Sequence, residues 1–215
     1  MLARFPLNNR DKMKIAIIGA TGNVGRRIVD ESLNRGHNVT GIARDPFKLS
    51  PRNGLTLVQG DANDSFRLGQ LLVGHDVVIS SIVFIHSDIT LLVEAVRASG
   101  VKRYLVVGGA GSLEVAPGKL LVDQPDFPDF VKAEATKGGE SLNYLREIKD
   151  LDWTFLSPSA LFTDGDRTGV FRMGRDELLV GTDGKSWISY EDYSIALLDE
   201  IENPKHIQQR FTVGY

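Results

Sequence analysis

The sequence predicts an α/β protein built on a doubly wound parallel sheet with helices on both faces. Two observations lead to this fold class. Over about a hundred residues from Lys14, short apolar runs alternate with amphipathic segments, and short connections, several containing glycine, join them. Short apolar runs are typical of parallel strands that are buried on both faces, and the alternation places helices on those faces. Right-handed crossovers then give the strand order 3-2-1-4-5.

The apolar runs define five strands in this first part. They lie at residues 14–18, 38–43, 55–59, 76–80 and 103–107. Apolar residues at helical spacing predict three intervening helices, which end near Asn34, Val73 and Ser99. Gly36 and Gly100 stand where a glycine commonly closes a helix.

The second half of the chain has a weaker pattern. Three prolines at 117, 125 and 128 indicate a long loop, after which we predict a helix over 131–148 and a strand over 153–156. Residues 164–185 combine glycines with charges and predict loops with short strands. The Ser189-x-x-Asp192 spacing predicts the start of a helix that runs to about residue 202, followed by a strand over 210–215. Residues 1–12 are expected to be a flexible extension, and 13–215 a single domain with a small substrate-side portion at its C-terminal end.

Composition narrows the functional classes. The net charge is −3 and no basic run occurs, which argues against a nucleic-acid or anionic-membrane partner. There is no cysteine, and no apolar stretch approaches the roughly 18 residues that a membrane helix needs. The N-terminus lacks the apolar core of a signal peptide, so we expect a cytoplasmic protein. We expect it to be a monomer or a homodimer. The four histidines lack metal-ligand spacing and are expected in loops or at the surface, so no metal site is predicted.

A glycine-rich turn follows the first strand. Gly19, Gly22 and Gly25 form G-x-x-G-x-x-G between that strand and an amphipathic helix, which is the context that dinucleotide binding requires. The first glycine permits a tight turn, the second lets a pyrophosphate approach the backbone, and the third lets the helix pack closely. The free amides at the helix start then face the phosphates. This combination predicts a Rossmann-type nucleotide site, whereas a purely structural turn would need only one glycine.

The ends of the next strands suggest which cofactor binds. Arg44 follows the second strand directly and would pair with a ribose 2′-phosphate, which favours NADP(H) over NAD(H). Asp45 would instead accept a hydrogen bond from a ribose 2′-hydroxyl, as in NAD(H) binding. Because Asp45 precedes a proline, it could equally cap the next turn. Asp61 follows the third strand and would either receive an adenine amino group or cap a helix. Ser80 and Ser81 end the fourth strand beside the expected crevice.

The segments GATGNVG, ARDP, GDAND and GGAGSLEV resemble the atypical short-chain dehydrogenases, in particular the proteins assigned as NADH-flavin reductases and the biliverdin reductase B-like proteins. DWTFLSPSALF, RTGVFRMG and SYEDYSIALLDEIENP extend the similarity over residues 13–215. The resemblance implies NAD(P)H binding on a Rossmann-type domain. It places near the cofactor Gly19, Thr21, Gly22, Asn23, Val24, Arg44, Asp61, Ala62, Gly108, Gly109, Ala110 and Pro158, in addition to Gly25, Ser80 and Ser81, which the turn and the strand end indicate.

The resemblance also implies a substrate pocket beside the nicotinamide. Ser159 would flank it, together with Ser112 and Leu113. Ser112 offers a hydroxyl and is a weak catalytic candidate, although an ordinary loop serine would look the same. Phe162 would stack on a planar ring or would belong to the core.

The chain departs from the short-chain dehydrogenases that reduce ketones. Those enzymes use a Tyr-x-x-x-Lys pair, in which the tyrosine protonates the carbonyl oxygen. None of the five tyrosines here has a lysine four residues later, and the segment where the pair is expected reads DFVKAEATK. A flavin, quinone or tetrapyrrole delocalises the charge that hydride brings and needs orientation more than a strong acid. We therefore expect hydride transfer to a planar conjugated acceptor, with FMN or FAD among the candidates.

Two other functions fit parts of the pattern. An NmrA-like sensor would bind NADP and a protein partner without turnover, and the missing Tyr-Lys pair suits it equally well. A nucleotide-sugar epimerase or dehydratase fits less well, because that chemistry normally uses the absent tyrosine.

Overall fold

The computed structural model describes residues 12–215; residues 1–11, which make up nearly all of the expected extension, lie outside the described part. Within it, eight strands form the central sheet: β1 Lys14–Ile18, β2 Asn38–Ala43, β3 Leu55–Gln59, β4 Val77–Ser80, β5 Arg103–Val107, β8 Asp152–Ser157, β10 Arg172–Gly174 and β12 Gln209–Gly214. Two short pairs lie outside that sheet. They are the antiparallel β6 Glu114–Ala116 with β7 Lys119–Leu120, and the parallel β9 Leu161–Thr163 with β11 Trp187–Ser189.

The strand order of the central sheet is β10-β12-β8-β5-β4-β1-β2-β3. The predicted order 3-2-1-4-5 for the first five strands is therefore confirmed. Every neighbouring pair is parallel except β10 with β12, which is antiparallel and forms one edge. The chain winds outward in one direction from β1 and in the other from β4, so a crevice opens where the two directions part.

Five helices cover the sheet: α1 Asn23–Asn34, α2 Ser65–Leu72, α3 Ile89–Ser99, α4 Asp129–Glu147 and α5 Tyr190–Glu202. Side chains alternate between the two faces of each strand. Ile15 and Ile17 of β1 face the core cluster that contains residues of α1 and α5, whereas Ala16 and Ile18 face the cluster that contains residues of α2, α3 and α4. The fold is thus a three-layer sandwich with a core on each side of the sheet.

Element boundaries differ from the predictions where side chains or prolines set them. Helix α3 begins at Ile89, two residues later than expected, because the carboxylate of Asp88 caps the amide of Thr90. Helix α4 begins at Asp129, two residues earlier, directly after Pro128 at the N-cap. The segment predicted as an uninterrupted loop contains the β6–β7 hairpin, whose turn includes Gly118 at a φ of 72°.

None of the helices within residues 12–215 combines the length and the apolar character needed to cross a bilayer.

Candidate functional site

A crevice of about 200 Å³ lies at the carboxyl ends of the strands, where the winding direction changes. The turn after β1 forms its floor, and the segments after β2, β3 and β4 form its walls. Its lining includes Gly19, Thr21, Gly22, Ala43, Arg44, Gly60, Asp61, Ala62, Ser81 and His86. Ligands of open parallel sheets bind at this position.

The three glycines of the turn have different structural roles. Gly19 has a φ of 86°, and a Cβ there would lie 2.1 Å from the carbonyl oxygen of Ser81. A Cβ on Gly25 would lie 2.1 Å from the carbonyl oxygen of Gly19. Gly22 differs, because the nearest atom to its Cβ would be 3.4 Å away. Gly19 and Gly25 therefore let strand, turn and helix pack together, while Gly22 leaves the backbone open to the crevice.

The start of α1 can receive an anion. Gly22 is the N-cap residue, no side chain within the described residues caps the helix, and its first turn contains no acidic residue. The first amides of a helix lack partners within that helix and carry the positive end of its dipole. A diphosphate is the type of ligand that this arrangement accepts.

Two arginines lie at the rim of the crevice. A cavity of about 230 Å³ is lined by Arg44, Gln59, Gly60, Asp61, Asp64 and Arg67. Gln59 donates to the backbone carbonyl of Arg44 at 3.0 Å, and Asp64 accepts from the backbone amide of Arg67 at 3.0 Å. Among residues 12–215, neither guanidinium donates a hydrogen bond, so both are available to an anionic ligand.

Arg67 was not found from the sequence. It lies in the first turn of α2, a helix whose N-cap is Asp64. Only the pairing of β2 with β3 brings this turn beside the residue that follows β2. The sequence carried no local signal for that neighbourhood.

A second, larger cavity of about 570 Å³ lies beyond the carboxyl ends of β5 and β8. One wall is the glycine-rich segment 108–111, a second is residues 158–162, and the third is the beginning of α4. Aromatic and aliphatic side chains dominate it, including Phe84, Phe127, Val131, Leu161 and Phe162. Such a largely apolar cleft with few polar groups is typical of a small-molecule site.

The segment 81–86 connects the two cavities. Ser81 and Val83 line the crevice, whereas Phe84 lines the larger cavity. The ring of Phe84 stacks on that of Phe155, with centroids 6.1 Å apart. On α4, a Cβ at Gly138 would lie 3.1 Å from the ring of Phe84. A movement of this segment would therefore alter both cavities.

Glu134 of α4 anchors the same segment. Its carboxylate accepts hydrogen bonds from the amides of Phe84 at 2.8 Å and Ile85 at 2.9 Å, and it lines the larger cavity. Glu134 lies within DFVKAEATK, the segment where a Tyr-Lys pair would be expected, and no motif in the sequence indicates its contact with segment 81–86.

Most of the predicted site residues line one of the two cavities. In the crevice are Gly19, Thr21, Gly22, Arg44, Asp61, Ala62 and Ser81. In the larger cavity are Gly108, Gly109, Ala110, Pro158, Ser159 and Phe162. Asn23, Val24 and Gly25 form the first turn of α1 and lie outside both linings. Phe162 also packs on Tyr190 and Tyr193, each with ring centroids 4.6 Å away.

Three predicted residues are placed elsewhere. Ser80 is 3% exposed and its hydroxyl is hydrogen-bonded to the phenol of Tyr104 at 2.9 Å, because its position on β4 turns the side chain toward the core. Leu113 is fully buried and cannot touch a substrate. Ser112 lies outside both linings, and its hydroxyl accepts a hydrogen bond from Arg210 at 3.0 Å.

Within residues 12–215, no tyrosine–lysine pair of the dehydrogenase type faces the cavities. Neither lining contains a tyrosine or a lysine among the described residues. Burial raises the pKa of Tyr104 and Tyr193, and their hydroxyls are engaged by Ser80 and by the carbonyl of Leu156. Proton donation by these phenols to a ligand is therefore excluded by position.

Fold and crevice together define a Rossmann-type nucleotide-binding domain. The sequence matches the NAD(P)H-binding family over residues 19–204, and the chain belongs to that family.

Three similar proteins show how members of this family are described. YwnB of Bacillus subtilis is 42% identical over 212 residues, which are 94% of this chain and 98% of YwnB. A Bacteroides thetaiotaomicron structure described as a "putative epimerase" is 40% identical, with a TM-score of 0.90 over 95% of this chain and 98% of that one. A Streptococcus pneumoniae structure described as a "putative NADH-flavin reductase" is 36% identical, with a TM-score of 0.82 over 94% and 99%.

Proposed function

We propose that this protein is an NADP(H)-dependent oxidoreductase that reduces a planar conjugated acceptor. The observation that carries the proposal is the pair of cavities joined by segment 81–86. One cavity meets an uncapped helix start and is polar at its rim, and the other is large and mostly apolar. A dinucleotide that lies across the sheet edge would bring its nicotinamide to the mouth of the larger cavity.

The residues present fit such a cofactor. The backbone at Gly22 is open to the crevice, and the amides of the first turn of α1 would hold the pyrophosphate. Arg44 and Arg67 would hold the 2′-phosphate, which favours NADP(H) over NAD(H), because arginine binds phosphate oxygens through several N–H groups at once. Asp61 would lie near the adenine ribose or its base.

NADPH supplies a hydride when it is bound. The protein would orient the reactants and exclude water. Gly109 and Ala110 would let a flat ring approach the wall formed by segment 108–111, and Phe84 and Phe162 would border that ring. Because the described residues that line the two cavities include no tyrosine and no lysine, an acceptor that delocalises its own charge suits the cavity better than a simple ketone.

The proposal is tested by cofactor binding and turnover. Purified protein should oxidise NADPH, followed by loss of the reduced nicotinamide absorbance, when riboflavin or menadione is added. Calorimetric titration with NADPH and NADH should show the tighter binding for NADPH. Failure of both coenzymes to bind saturably would overturn the cofactor assignment, and equal affinities would remove the NADP preference.

A sensor function, as in the NmrA-like regulators, shares the cofactor but not the reaction. It is favoured if NADPH binds tightly and no acceptor is reduced. The relative described as an epimerase makes a sugar-nucleotide test worthwhile as well. Turnover of a sugar nucleotide without net oxidation of the cofactor would show that the protein is an epimerase and would overturn the proposed reduction of a planar acceptor.

A further inference from the structure

The charges in the larger cavity are all of one sign. Among its lining residues within the described chain, Asp126 and Glu134 carry charge, and no lysine, arginine or histidine is present. Asp126 is exposed at the mouth, one residue before Phe127, and Glu134 is half-buried on the α4 wall. A ligand in this cavity therefore meets carboxylates at its entrance and along one side.

Like Glu134, whose carboxylate accepts from two backbone amides, the other polar side chains of the lining are engaged with the protein. Ser159 donates to the carbonyl of Val213 at 2.9 Å, and Ser186 accepts from the amide of Ala160 at 3.1 Å. Neither supplies a positive charge. A phosphate on the acceptor would find no cationic partner among the described residues of this lining, unlike a phosphate beside Arg44 and Arg67 at the rim of the crevice.

We propose that the acceptor is an uncharged ring system, of the class of free flavins and quinones, and that Asp126 and Glu134 disfavour phosphorylated flavins such as FMN. This inference rests on the proposed reductase function and narrows its substrate class. The acceptor would gain two electrons and one proton as hydride from NADPH and take its second proton from solvent, leaving NADP⁺. Like charges raise the free energy of the bound anion, and water and salt reduce that effect at the mouth.

A comparison of riboflavin with FMN as acceptors tests the inference. Riboflavin and FMN share the isoalloxazine ring and differ in the terminal phosphate. At low ionic strength kcat/KM should be about tenfold higher for riboflavin, which corresponds to about 1.4 kcal/mol. Raising the salt concentration should shrink this ratio, because screening weakens the repulsion. A ratio that is insensitive to salt would assign the discrimination to size and overturn the charge argument.

Substitutions at Asp126 test whether the discrimination between the two flavins arises from the charge at the cavity. Asp126→Lys should lower the riboflavin-to-FMN ratio severalfold, and Asp126→Asn should lower it less. Glu94→Lys is the matched control, since Glu94 is exposed on α3 outside the lining and the variant makes the same change in net charge. Equal ratios in Asp126→Lys, Glu94→Lys and the unaltered protein would overturn the inference.

Binding separates this inference from the function on which it rests. Quenching of flavin fluorescence should give a lower dissociation constant for riboflavin than for FMN on protein saturated with NADP⁺. If riboflavin binds preferentially but no acceptor is reduced, the reductase proposal fails and the charge selectivity stands. If NADPH oxidation proceeds but the two flavins bind equally, or neither binds, the inference fails and the reductase proposal stands.

Discussion

The carboxylate of Glu134 accepts a hydrogen bond from the backbone amide of Phe84 at 2.8 Å, across 50 residues of sequence. The same carboxylate accepts from the amide of Ile85, so one side chain of α4 satisfies two consecutive backbone donors of segment 81–86. Because this segment borders both cavities, Glu134 is a positioning residue for the proposed reaction. It holds the amides of Phe84 and Ile85, and Phe84 lines the larger cavity, where the acceptor would bind.

Replacing Glu134 tests this positioning role. Glu134→Gln keeps the size but loses one acceptor oxygen, so one of the two amides loses its partner, at a cost of about 1–3 kcal/mol if that amide is shielded from water. We expect kcat/KM for the acceptor to fall about tenfold or more, while the dissociation constant for NADPH changes little. Steady-state kinetics and calorimetry measure the two quantities.

Glu140→Gln is the control for this variant. Glu140 lies on the same helix, is exposed, and pairs only at the surface with Lys137 at 3.3 Å. Its replacement should leave both quantities unchanged. A parallel loss of NADPH affinity in Glu134→Gln would show that segment 81–86 is held for the cofactor rather than for the acceptor.

The two arginines of the rim predict cofactor selectivity. Arg44→Ala and Arg67→Ala should each weaken NADPH binding about 10- to 100-fold, because a hydrogen bond to a charged group contributes about 1.5–3 kcal/mol. NADH binding should change little. Arg52→Ala serves as the control, since Arg52 is an exposed arginine that pairs with Asp30 at 2.6 Å. Equal losses for both coenzymes would contradict recognition of the 2′-phosphate.

Substitutions at two glycines of the turn should have different effects, one on NADPH binding and the other on the stability of the fold. Gly22→Val should abolish NADPH binding with little loss of stability, because the added atoms project into the crevice and the first meets nothing closer than 3.4 Å. Gly25→Ala should instead destabilise the protein, since its Cβ would lie 2.1 Å from the carbonyl oxygen of Gly19. Urea unfolding and calorimetry together distinguish the two. Strong destabilisation by Gly22→Val would contradict the assignment of an open backbone there.

The regular elements could be predicted because their signals are local. The buried strand over residues 14–18 and the Ser189 cap, whose hydroxyl accepts from the amide of Asp192 at 3.0 Å, depend on neighbours within a few residues. The burial of His37, by contrast, depends on a contact distant in sequence. His37 lies in the loop between α1 and β2, which is one of the two predicted settings, yet it is 3% exposed, and its Nε2 lies 3.2 Å from a carboxylate oxygen of Glu202 on α5.

The same distinction holds for the site. The positions of Gly19, Gly22 and Arg44 at the crevice were predictable because a strand, a turn and a helix follow one another in sequence. Glu134 and Arg67 were not, because their roles arise only when α4 meets segment 81–86 and when α2 starts beside β2. Ser80 was misjudged by one step of strand alternation, which sends its side chain toward Tyr104 while Ser81 lines the crevice.

Ion pairs that join the buried carboxylate of Glu31 to Arg35 at the end of α1 and to Arg167 in the loop before β10 predict a pH-dependent stability. Burial alone would raise the pKa of Glu31, but hydrogen bonds from Arg167 and Arg35 outweigh it and the pKa is lowered. Arg167 donates to both carboxylate oxygens at 2.9 and 3.0 Å, and Arg35 donates at 2.8 Å. The pairs therefore stabilise the fold when Glu31 is ionised.

Glu31→Gln should lower the free energy of unfolding by about 1–3 kcal/mol at neutral pH, because a buried hydrogen-bonded charge is lost. A lowered folded-state pKa gives stability that is fully present above the unfolded value of about 4.3 and is lost as the pH falls through the folded value. The difference between the two proteins should thus stay constant from about pH 7 to pH 5.5 and shrink below about pH 4. Urea unfolding across this range measures it, with Glu147→Gln, an exposed change at the end of α4, as the control. A difference that grows toward acid pH would mean that the pKa of Glu31 is raised and that burial outweighs the arginines.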